Sequence, residues 1–491
     1  MLNYENEQIK ISQYRSLYDI IVSKDNLLRK IKENIDFSFV NQMLSDSYCK
    51  YYGRPAKEPE MMFKLMFLKT IYDLSDEKAI QNSNHDMSYK FFLGLDPEDK
   101  LVDSSLLTKF RKTRIKNDDI LNEMLKETVR QAVEKGLIKS NTILVDATHT
   151  KSRSRRETPT QILRRISKEL RKIIYKNHFD LSNNFPEKPQ ETDTLEKEIE
   201  YSKSLVEIIE KVGEGRLDKE IEQRLFQLKD LLGSDNILEI QSVVDEDAKQ
   251  GYKSETNSFF GYKNHIAISE ERLITALDVT SGEAPDGKHL ETLILQTEEN
   301  GLKVKEVLAD SAYSGKDNLD LMNAKEIKAV TKLNPIISNT MKPRTDGFEY
   351  IKDADMMRCP AGHLSIKKEI RKNNSKKNHN SSIVYSFDIK KCQNCPQREG
   401  CYKPGGKQKT CHVTIMSDIH KKQQEFQDSE YFKERAKQRY MIEAKNGELK
   451  QWHGLDRCKY KGLFGMRKQM FFTAFAVNVK RIVKLIDEKT A

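Results

Sequence analysis

Two short apolar runs that each end in an aspartate constrain the fold of this chain most. In NTILVDATHT the apolar run ILV precedes Asp146, and in VKEVLADSAY the apolar run VLA precedes Asp310. Short runs of this kind, rich in β-branched residues, are typical of strands buried in a sheet. A buried carboxylate is costly without a partner, which makes both aspartates candidate ligands of a cation. Taken singly, either aspartate could instead cap a helix or a turn, which is the commoner role.

The segments around these two runs predict the rest of a sheet. FFGYKNHIAIS and LITALDVTSG read as the strands of a hairpin whose turn lies near Glu270 and Glu271. A helix is expected from about Lys288 to Glu299, and IKAVTKLN is a further strand. An antiparallel pair followed by β-α-β units predicts an α/β fold with a mixed sheet.

The chain divides into an amino-terminal region, a discontinuous sheet domain and two insertions. Its 491 residues exceed what one hydrophobic core usually supports. Residues 1–135 carry apolar residues at helical spacing and are predicted to form an all-α, DNA-binding domain. The α/β sheet domain is expected over 136–335 and 428–491. A helical insertion at 151–245 and a cysteine-containing insertion at 336–427 interrupt it.

A DNA-binding unit is predicted inside the amino-terminal region. Ser75 can cap one helix, a turn follows near Pro97, and Ser104 or the preceding Asp103 can cap the next helix, SLLTKFRKTRIK. This order is typical of a helix-turn-helix with a basic last helix. The candidate DNA contacts are Lys109, Arg111 and Lys112. An ordinary helical bundle with a solvated basic face explains the pattern equally well.

The helical insertion begins with a basic block directly after the Asp146 strand. Ten basic and two acidic residues lie between Lys151 and Lys176. Two amphipathic segments follow, with Gly213 and Gly215 between them, and they predict a helical hairpin. The basic block could hold phosphates beside Asp146, or it could be a solvated face.

A third acid comes from the carboxyl-terminal helical segment. Cleaving a phosphodiester and transferring its end uses two divalent cations about 4 Å apart, and hard cations prefer oxygen ligands. Arg439, Glu443 and Lys450 fall on one face of a helix with 3.6 residues per turn, whereas Glu448 falls off that face. Glu443 is therefore preferred over Glu448. A surface row of ion pairs is the alternative explanation.

At these residues the chain resembles the DDE transposases of bacterial insertion sequences. The matching stretches run from about Tyr51 to the end, with breaks at the insertions: YYGRPAKEPEMMFKLMFLKTIYDLSDEKAI, KFFLGLDPEDKLVDSSLLTKFRK, VDATHTKS, FFGYKNHIA, LDVTSGEAPDGKHL, VLADSAY and RYMIEAKNGELKQWHGLDRCKYKGL. The family signature has an Arg four residues before the catalytic Glu and a Lys seven after it, as do Arg439, Glu443 and Lys450. The Tyr that the full signature has three residues before the Arg is Ala436 here.

The resemblance implies a ribonuclease H-like catalytic core in which Asp146, Asp310 and Glu443 bind Mg²⁺ or Mn²⁺. It also implies cleavage and strand transfer at terminal inverted repeats, with double-stranded DNA as partner and a homodimer as the working form. Arg439 and Lys450 would hold DNA phosphates near the metal ions. Two alternatives remain: an endonuclease of the same fold without strand transfer, and a non-catalytic DNA-binding protein derived from a transposase.

Five of the seven cysteines crowd the second insertion and indicate a metal site. Cys392 and Cys395 have the two-residue gap of a zinc knuckle, with Cys401 and Cys359 as natural third and fourth ligands. Cys411, His412 and His363 are competing ligands. Reduced thiols without a metal ion are the alternative.

The net charge of the chain favours a nucleic-acid partner, and its hydropathy predicts no membrane-spanning segment. Lys and Arg number 85 against 75 Asp and Glu, a formal charge of +10, which suits a polyanion. The longest apolar run, about Met470 to Val477, is far shorter than the ~20 residues of a membrane span, and the first ten residues lack the apolar core of a secretion signal. We expect a cytoplasmic, nucleoid-associated bacterial protein.

Overall fold

The computed structural model describes residues 12–49, 56–190, 193–213, 217–233, 237–253, 256–338, 346–371, 381–403 and 405–490. Two features of the sequence lie outside these ranges: the YYGRP segment that begins one matching stretch, and Gly215 of the predicted hairpin turn. None of the helices within the described ranges is long and apolar enough to cross a bilayer.

The amino-terminal region is helical, as its periodicity predicts. Side chains that accept backbone N–H groups start several of these helices, among them Asn26, Ser75 and Asn117, and Pro59 occupies the first turn of another. The helices are α1 (Leu17–Ile21), α2 (Leu27–Asn34), α3 (Phe39–Leu44), α4 (Pro59–Ile71), α5 (Asp76–His85), α6 (Met87–Leu93), α7 (Ser105–Thr113) and α8 (Asp118–Glu134).

The first strand of the main sheet leads directly into the helical insertion. In the described part of this insertion, three α-helices share an apolar core of their own. The two helices of the predicted hairpin thus pack against a third helix, which carries much of the basic block. Thr158 starts that helix with a capping box completed by Gln161. The elements are β1 (Thr142–Lys151), α9 (Pro159–Asn177), α10 (Leu195–Val212) and α11 (Lys219–Gly233).

The main sheet is mixed, which confirms the expected fold class. Its strand order is β2-β3-β1-β5-β6, with β4 paired to β3; β1 is antiparallel to β3 and parallel to β5. The predicted hairpin is β3 and β4. The elements are β2 (Lys249–Tyr252), β3 (Ser258–Ser269), β4 (Ile274–Ser281), α12 (Leu290–Glu299), β5 (Glu306–Ala309), α13 (Lys316–Ala324), β6 (Lys328–Thr331) and α14 (Pro335–Ser338).

Within the residues that the structure describes, the cysteine-containing insertion forms two small sheets, one of three strands and one of two. Its elements are β7 (Glu349–Ile351), β8 (Met356–Arg358), β9 (Lys367–Arg371), β10 (Ser382–Phe387), α15 (Ile389–Gln393) and β11 (Lys409–Thr414). Four helices then complete the fold: α16 (Asp418–Gln427), α17 (Glu430–Lys437), α18 (Tyr440–Trp452) and α19 (Leu463–Thr490).

The long helix α19 joins the amino-terminal helices to the main sheet in one hydrophobic core. Phe475 of α19 packs against the rings of Phe37, Phe63 and Phe67, with centroids 5.2 to 6.0 Å apart. The buried Asn478 accepts from the Ile274 N–H at 2.8 Å and donates to the Ile274 carbonyl at 2.8 Å, in β4. The other face of the sheet is covered mainly by α12 and α13.

We predict that Phe475→Ala destabilises the chain by about 3 to 5 kcal/mol, because it empties an aromatic cluster shared by the two regions. The measurement is the denaturant midpoint followed by circular dichroism. Phe226→Ala, at a side chain on α11 that is 72% exposed, is the matched control and should change stability by less than about 0.5 kcal/mol. Equal effects of the two changes would contradict the shared core.

Candidate active site at the carboxyl ends of β1 and β5

The register between β1 and β5 brings the two predicted aspartates together. Leu144 of β1 pairs with Leu308 of β5, and both leucines lie in the core that includes α19. Asp146 and Asp310 each follow two residues later. Because side chains alternate along a strand, both carboxylates lie on the face of those leucines. Asp310 keeps an extended backbone, with φ −81° and ψ −178°.

Asp146 is a partly buried carboxylate among other charged groups. The side-chain amide of Asn446 donates to its Oδ2 at 2.9 Å. Burial raises the pKa of Asp146 to about 6, helped by the negative charges of Asp310 and Asp286, while the Ala147 N–H and Arg439 act in the opposite direction. A cation brought between such carboxylates would relieve their repulsion.

Asp310 combines a capping role with its place beside Asp146. Its Oδ1 accepts the N–H of Ala312 at 2.8 Å and so starts a single 3₁₀ turn, Ser311–Tyr313. Its backbone carbonyl accepts the Thr331 hydroxyl at 2.6 Å, which ties the end of β5 to β6. The cap uses Oδ1, so the carboxylate keeps a second oxygen for another ligand.

Helix α18 lies across these strand ends with one polar face. Asn446 on this face bonds Asp146, and Lys450 Nζ lies 3.4 Å from His149 Nδ1 of β1. Glu443 is one turn before Asn446; its side chain is 64% exposed, and its Oε1 lies 3.8 Å from Arg439 Nη2. The helix is held in place by the buried side chains of Ile442 and Leu449.

Glu448, the rejected third acid, lies away from the aspartates. Its Oε2 bonds the ammonium of the buried Lys445 at 2.7 Å. Within the described ranges, no three His, Cys, Asp or Glu side chains lie close enough together to hold a metal ion. Asp146, Asp310 and Glu443 therefore do not form a closed set of metal ligands in this conformation.

Three buried polar atoms around the aspartates lack a hydrogen-bond partner in the described part of the chain: Asn446 Oδ1, Tyr313 Oη and Arg439 Nε. Burial raises the pKa of Tyr313 well above its usual value, and Asp286, Asp146 and Asp310 raise it further. Buried polar groups are almost always satisfied by some partner. Such atoms beside two carboxylates fit a site that receives a hydrated cation and a polar substrate.

Two groups of cations flank the aspartates. A cleft of about 590 Å³ beside Asp310 is lined by basic side chains: Lys332, Lys433, Lys437 and Arg439. On the side of β1, burial lowers the pKa of His149 to about 4, and Lys450, Lys253 and Lys151 lower it further. Clustered positive charges next to a carboxylate pair suit the phosphates of a nucleic acid.

The structure corrects the expected role of Arg111. Lys109 and Lys112 are exposed on α7, but Arg111 is buried. Its two terminal nitrogens bond the two carboxylate oxygens of Asp76 at 2.8 and 2.6 Å, and Lys69 also pairs with Asp76. A guanidinium held in this way is not offered to a DNA phosphate, so Arg111 is a structural residue.

The four predicted zinc ligands line one cavity of about 50 Å³ in the cysteine-containing insertion, together with His363: Cys359, Cys392, Cys395 and Cys401. The competing Cys411 lies in β11 opposite Tyr385 of β10 and is buried in a small core. All of these cysteines are free of disulfides.

Sequence reasoning missed Asn446, Tyr313 and Asp286. Asn446 could have been found, because it lies seven residues after Arg439 and three after Glu443, on the same helical face. Tyr313 and Asp286 carry no such signal, since they approach the aspartates from a turn and a 3₁₀ segment whose placement depends on the packing of the sheet.

Comparison with known proteins gives two family matches. The family model described as "Transposase DDE domain" matches residues 227–479, and the one described as "Transposase domain (DUF772)" matches residues 15–113. A protein of Rhizobium meliloti, "Uncharacterized protein ORF8 in nfe locus", is 29% identical over 125 residues. The matched part is 25% of this chain and spans 59% of the length of that relative.

We predict that Asp76→Asn destabilises the fold by about 3 kcal/mol, because it leaves Arg111 and Lys69 without their buried counter-charge. Lys112→Ala, on the exposed face of α7, should cost less than about 0.5 kcal/mol. Denaturant melts of the two variants check this. Similar small losses would mean that the Asp76 network contributes little.

The same network predicts a pH dependence. Burial by itself would raise the pKa of Asp76, but Arg111 and Lys69 outweigh it and lower the pKa from 3.8 to about 2. A carboxylate whose pKa is lowered on folding stabilises the fold above about pH 4 and loses that contribution between pH 4 and 2. Wild type should therefore lose more stability than Asp76→Asn across this window, as measured by melts at fixed ionic strength. Parallel losses would contradict the ion pair.

Proposed function

This chain belongs to the transposase DDE domain family, and we propose that it cleaves and joins DNA at the terminal inverted repeats of an insertion sequence. The family match implies a ribonuclease H-like core, which agrees with the mixed sheet. The observation that carries the proposal is the pairing of Leu144 with Leu308, which sets Asp146 and Asp310 side by side beneath α18.

Members of this family generally use divalent metal ions, and the residues present fit Mg²⁺ or Mn²⁺. Two adjacent carboxylates and the unpartnered Asn446 Oδ1 offer hard oxygen donors. Such ions, when bound, activate the attacking oxygen and neutralise the leaving oxygen. We propose Asp146, Asp310 and Glu443 as the ligands. The exposed side chain of Glu443 would rotate toward the aspartates to complete the set.

The cations around the site would hold the DNA strand. Arg439 offers a guanidinium whose Nε has no partner in the described ranges, and this planar group suits bidentate contact with a phosphate. Lys450, on the same face of α18, would bind a neighbouring phosphate as a point charge. Lys332 and Lys437, exposed at the cleft beside Asp310, would extend this contact along the strand.

The proposed reaction has two displacements at phosphorus. In the first, a water oxygen bonds to the phosphorus at the end of the element, and the bond from phosphorus to the 3′ oxygen breaks, so that this oxygen gains a proton. In the second, the freed 3′ hydroxyl loses its proton and bonds to a phosphorus of the target DNA, the bond from that phosphorus to the target's own 3′ oxygen breaks, and this leaving oxygen gains a proton. The same three carboxylates serve both steps, and a homodimer would hold the two ends.

Asp310→Asn and Glu443→Gln should each lower cleavage of an inverted-repeat duplex by about 10³-fold, because loss of one ligand removes several kcal/mol of charge stabilisation. The assay follows labelled element ends with a plasmid target in Mg²⁺ or Mn²⁺, so that nicked and joined products are counted separately.

Two variants control this test. Glu434→Gln changes an exposed acid on the neighbouring helix α17 and should leave cleavage unchanged. Glu448→Gln should lower the free energy of unfolding but leave cleavage per folded molecule unchanged, because Glu448 forms an ion pair with the buried Lys445. Loss of cleavage in Glu448→Gln together with normal cleavage in Glu443→Gln would refute the choice of Glu443. Nicked ends without joined product would indicate an endonuclease without strand transfer.

Lys109 and Lys112 remain proposed DNA contacts of the amino-terminal region. Replacing both with Ala should weaken binding to duplex DNA and lower the slope of log K against log salt by about 2, since each phosphate contact contributes about 0.9. The matched control is Lys303→Ala with Lys305→Ala, two exposed cations at the opposite, amino-terminal end of β5. Equal slopes for the two double variants would show that α7 does not contact phosphates.

A further inference from the structure

The cysteine-containing insertion has a small hydrophobic core. Its buried cluster, within the described residues, consists of Phe348, Met357, Tyr385, Phe387, Cys411 and Val413. Its strands have only three to six residues each. Small folds with few buried side chains are often stabilised further by a disulfide or a metal ion, and the cysteines here are free of disulfides. We propose that Cys359, Cys392, Cys395 and Cys401 bind one structural zinc ion as thiolates.

Three separate segments bring the four thiols to the same cavity. Cys359 follows β8 and opens a tight turn: its N–H donates to the His363 carbonyl and its carbonyl accepts from the Gly362 N–H, both at 2.8 Å. Gly362 has a φ of +84°, which suits glycine. Cys392 lies in α15, and Cys395 follows at once in a turn closed by its N–H on the Cys392 carbonyl at 3.4 Å. These turns are the kind that present a pair of thiolates to a tetrahedral ion.

The walls of the cavity suit a thiolate-bound cation. Phe348, Phe387 and Tyr402 form apolar sides that limit access of water. Arg398 and Lys409 also line it, and the Lys409 ammonium donates to the Cys401 carbonyl at 2.6 Å. Four thiolates around one Zn²⁺ carry a net charge of −2, so two cations at the wall lower the cost of burying the centre.

The sequence spacing left Cys411, His412 and His363 as competing zinc ligands, and their positions in the structure favour the four cysteines proposed above. Cys411 is buried in the small core, and neither it nor its strand neighbour His412 lines the cavity. His363 also lines the cavity, but the four cysteines by themselves supply the four ligands that a structural zinc ion takes. The thiols in the described conformation are not yet within common reach of an ion. Binding would therefore draw them together by rotation of side chains around the cavity.

The test uses the full-length protein, purified without added zinc and dialysed against buffer. Bound metal is measured by elemental analysis, and Co²⁺ is then exchanged into the protein as a probe. Stoichiometric zinc, and a Co²⁺ spectrum with sulfur-to-metal charge-transfer and tetrahedral bands, are expected. Those sulfur bands separate this site from the carboxylates, which supply only oxygen. Substoichiometric zinc, or Co²⁺ without sulfur bands, would overturn the proposal.

Variants assign the ligands. Cys392→Ser with Cys395→Ser should abolish the sulfur bands, whereas Cys49→Ser, at an exposed cysteine outside the insertion, and His363→Ala should keep them. Loss of the bands in His363→Ala would overturn the four-cysteine set. The double variant could unfold the insertion. The Co²⁺ spectrum of the wild-type protein therefore tests the proposal without relying on that variant. DNA cleavage by the active-site carboxylates is a separate readout, so failure of the zinc site and failure of the proposed function are distinguishable.

Discussion

The parallel register of β1 and β5 is the constraint on which the candidate site depends. Pairing of Leu144 with Leu308 puts Asp146 and Asp310 on one face. A slip of one residue would turn one leucine out of the core and send its aspartate to the opposite side of the sheet. Burial of the leucines therefore fixes the spacing of the carboxylates, and the helix that covers the same face, α18, brings its polar face to them.

The second constraint is α19, which makes the amino-terminal helices part of the catalytic unit. Phe475 and Asn478 connect α4, α8 and β4 through ring contacts and hydrogen bonds. The exposed lysines of α7 are accordingly held at a set distance from the sheet. The two insertions differ from this unit, because each carries a core of its own.

The sequence predicted the strands, the hairpin and the helical phase of α18, because these follow from apolar periodicity and helical spacing. It misjudged Arg111, since a basic residue in a basic helix gives no sign of an acid such as Asp76 that packs against it from another helix. It also missed Tyr313 and Asp286, whose approach to Asp146 depends on turns placed by the sheet.

The amino-acid sequence by itself determined which residues end buried strands and which acids share a helical face, because alternation and helical pitch are local properties of the chain. Tertiary structure alone decided that Asp146 and Asp310 are neighbours. It also decided that Glu448 forms an ion pair with Lys445 and that Arg111 forms one with Asp76. Each of these is a contact between distant segments. Such contacts are set by how the whole core packs, which no local pattern records.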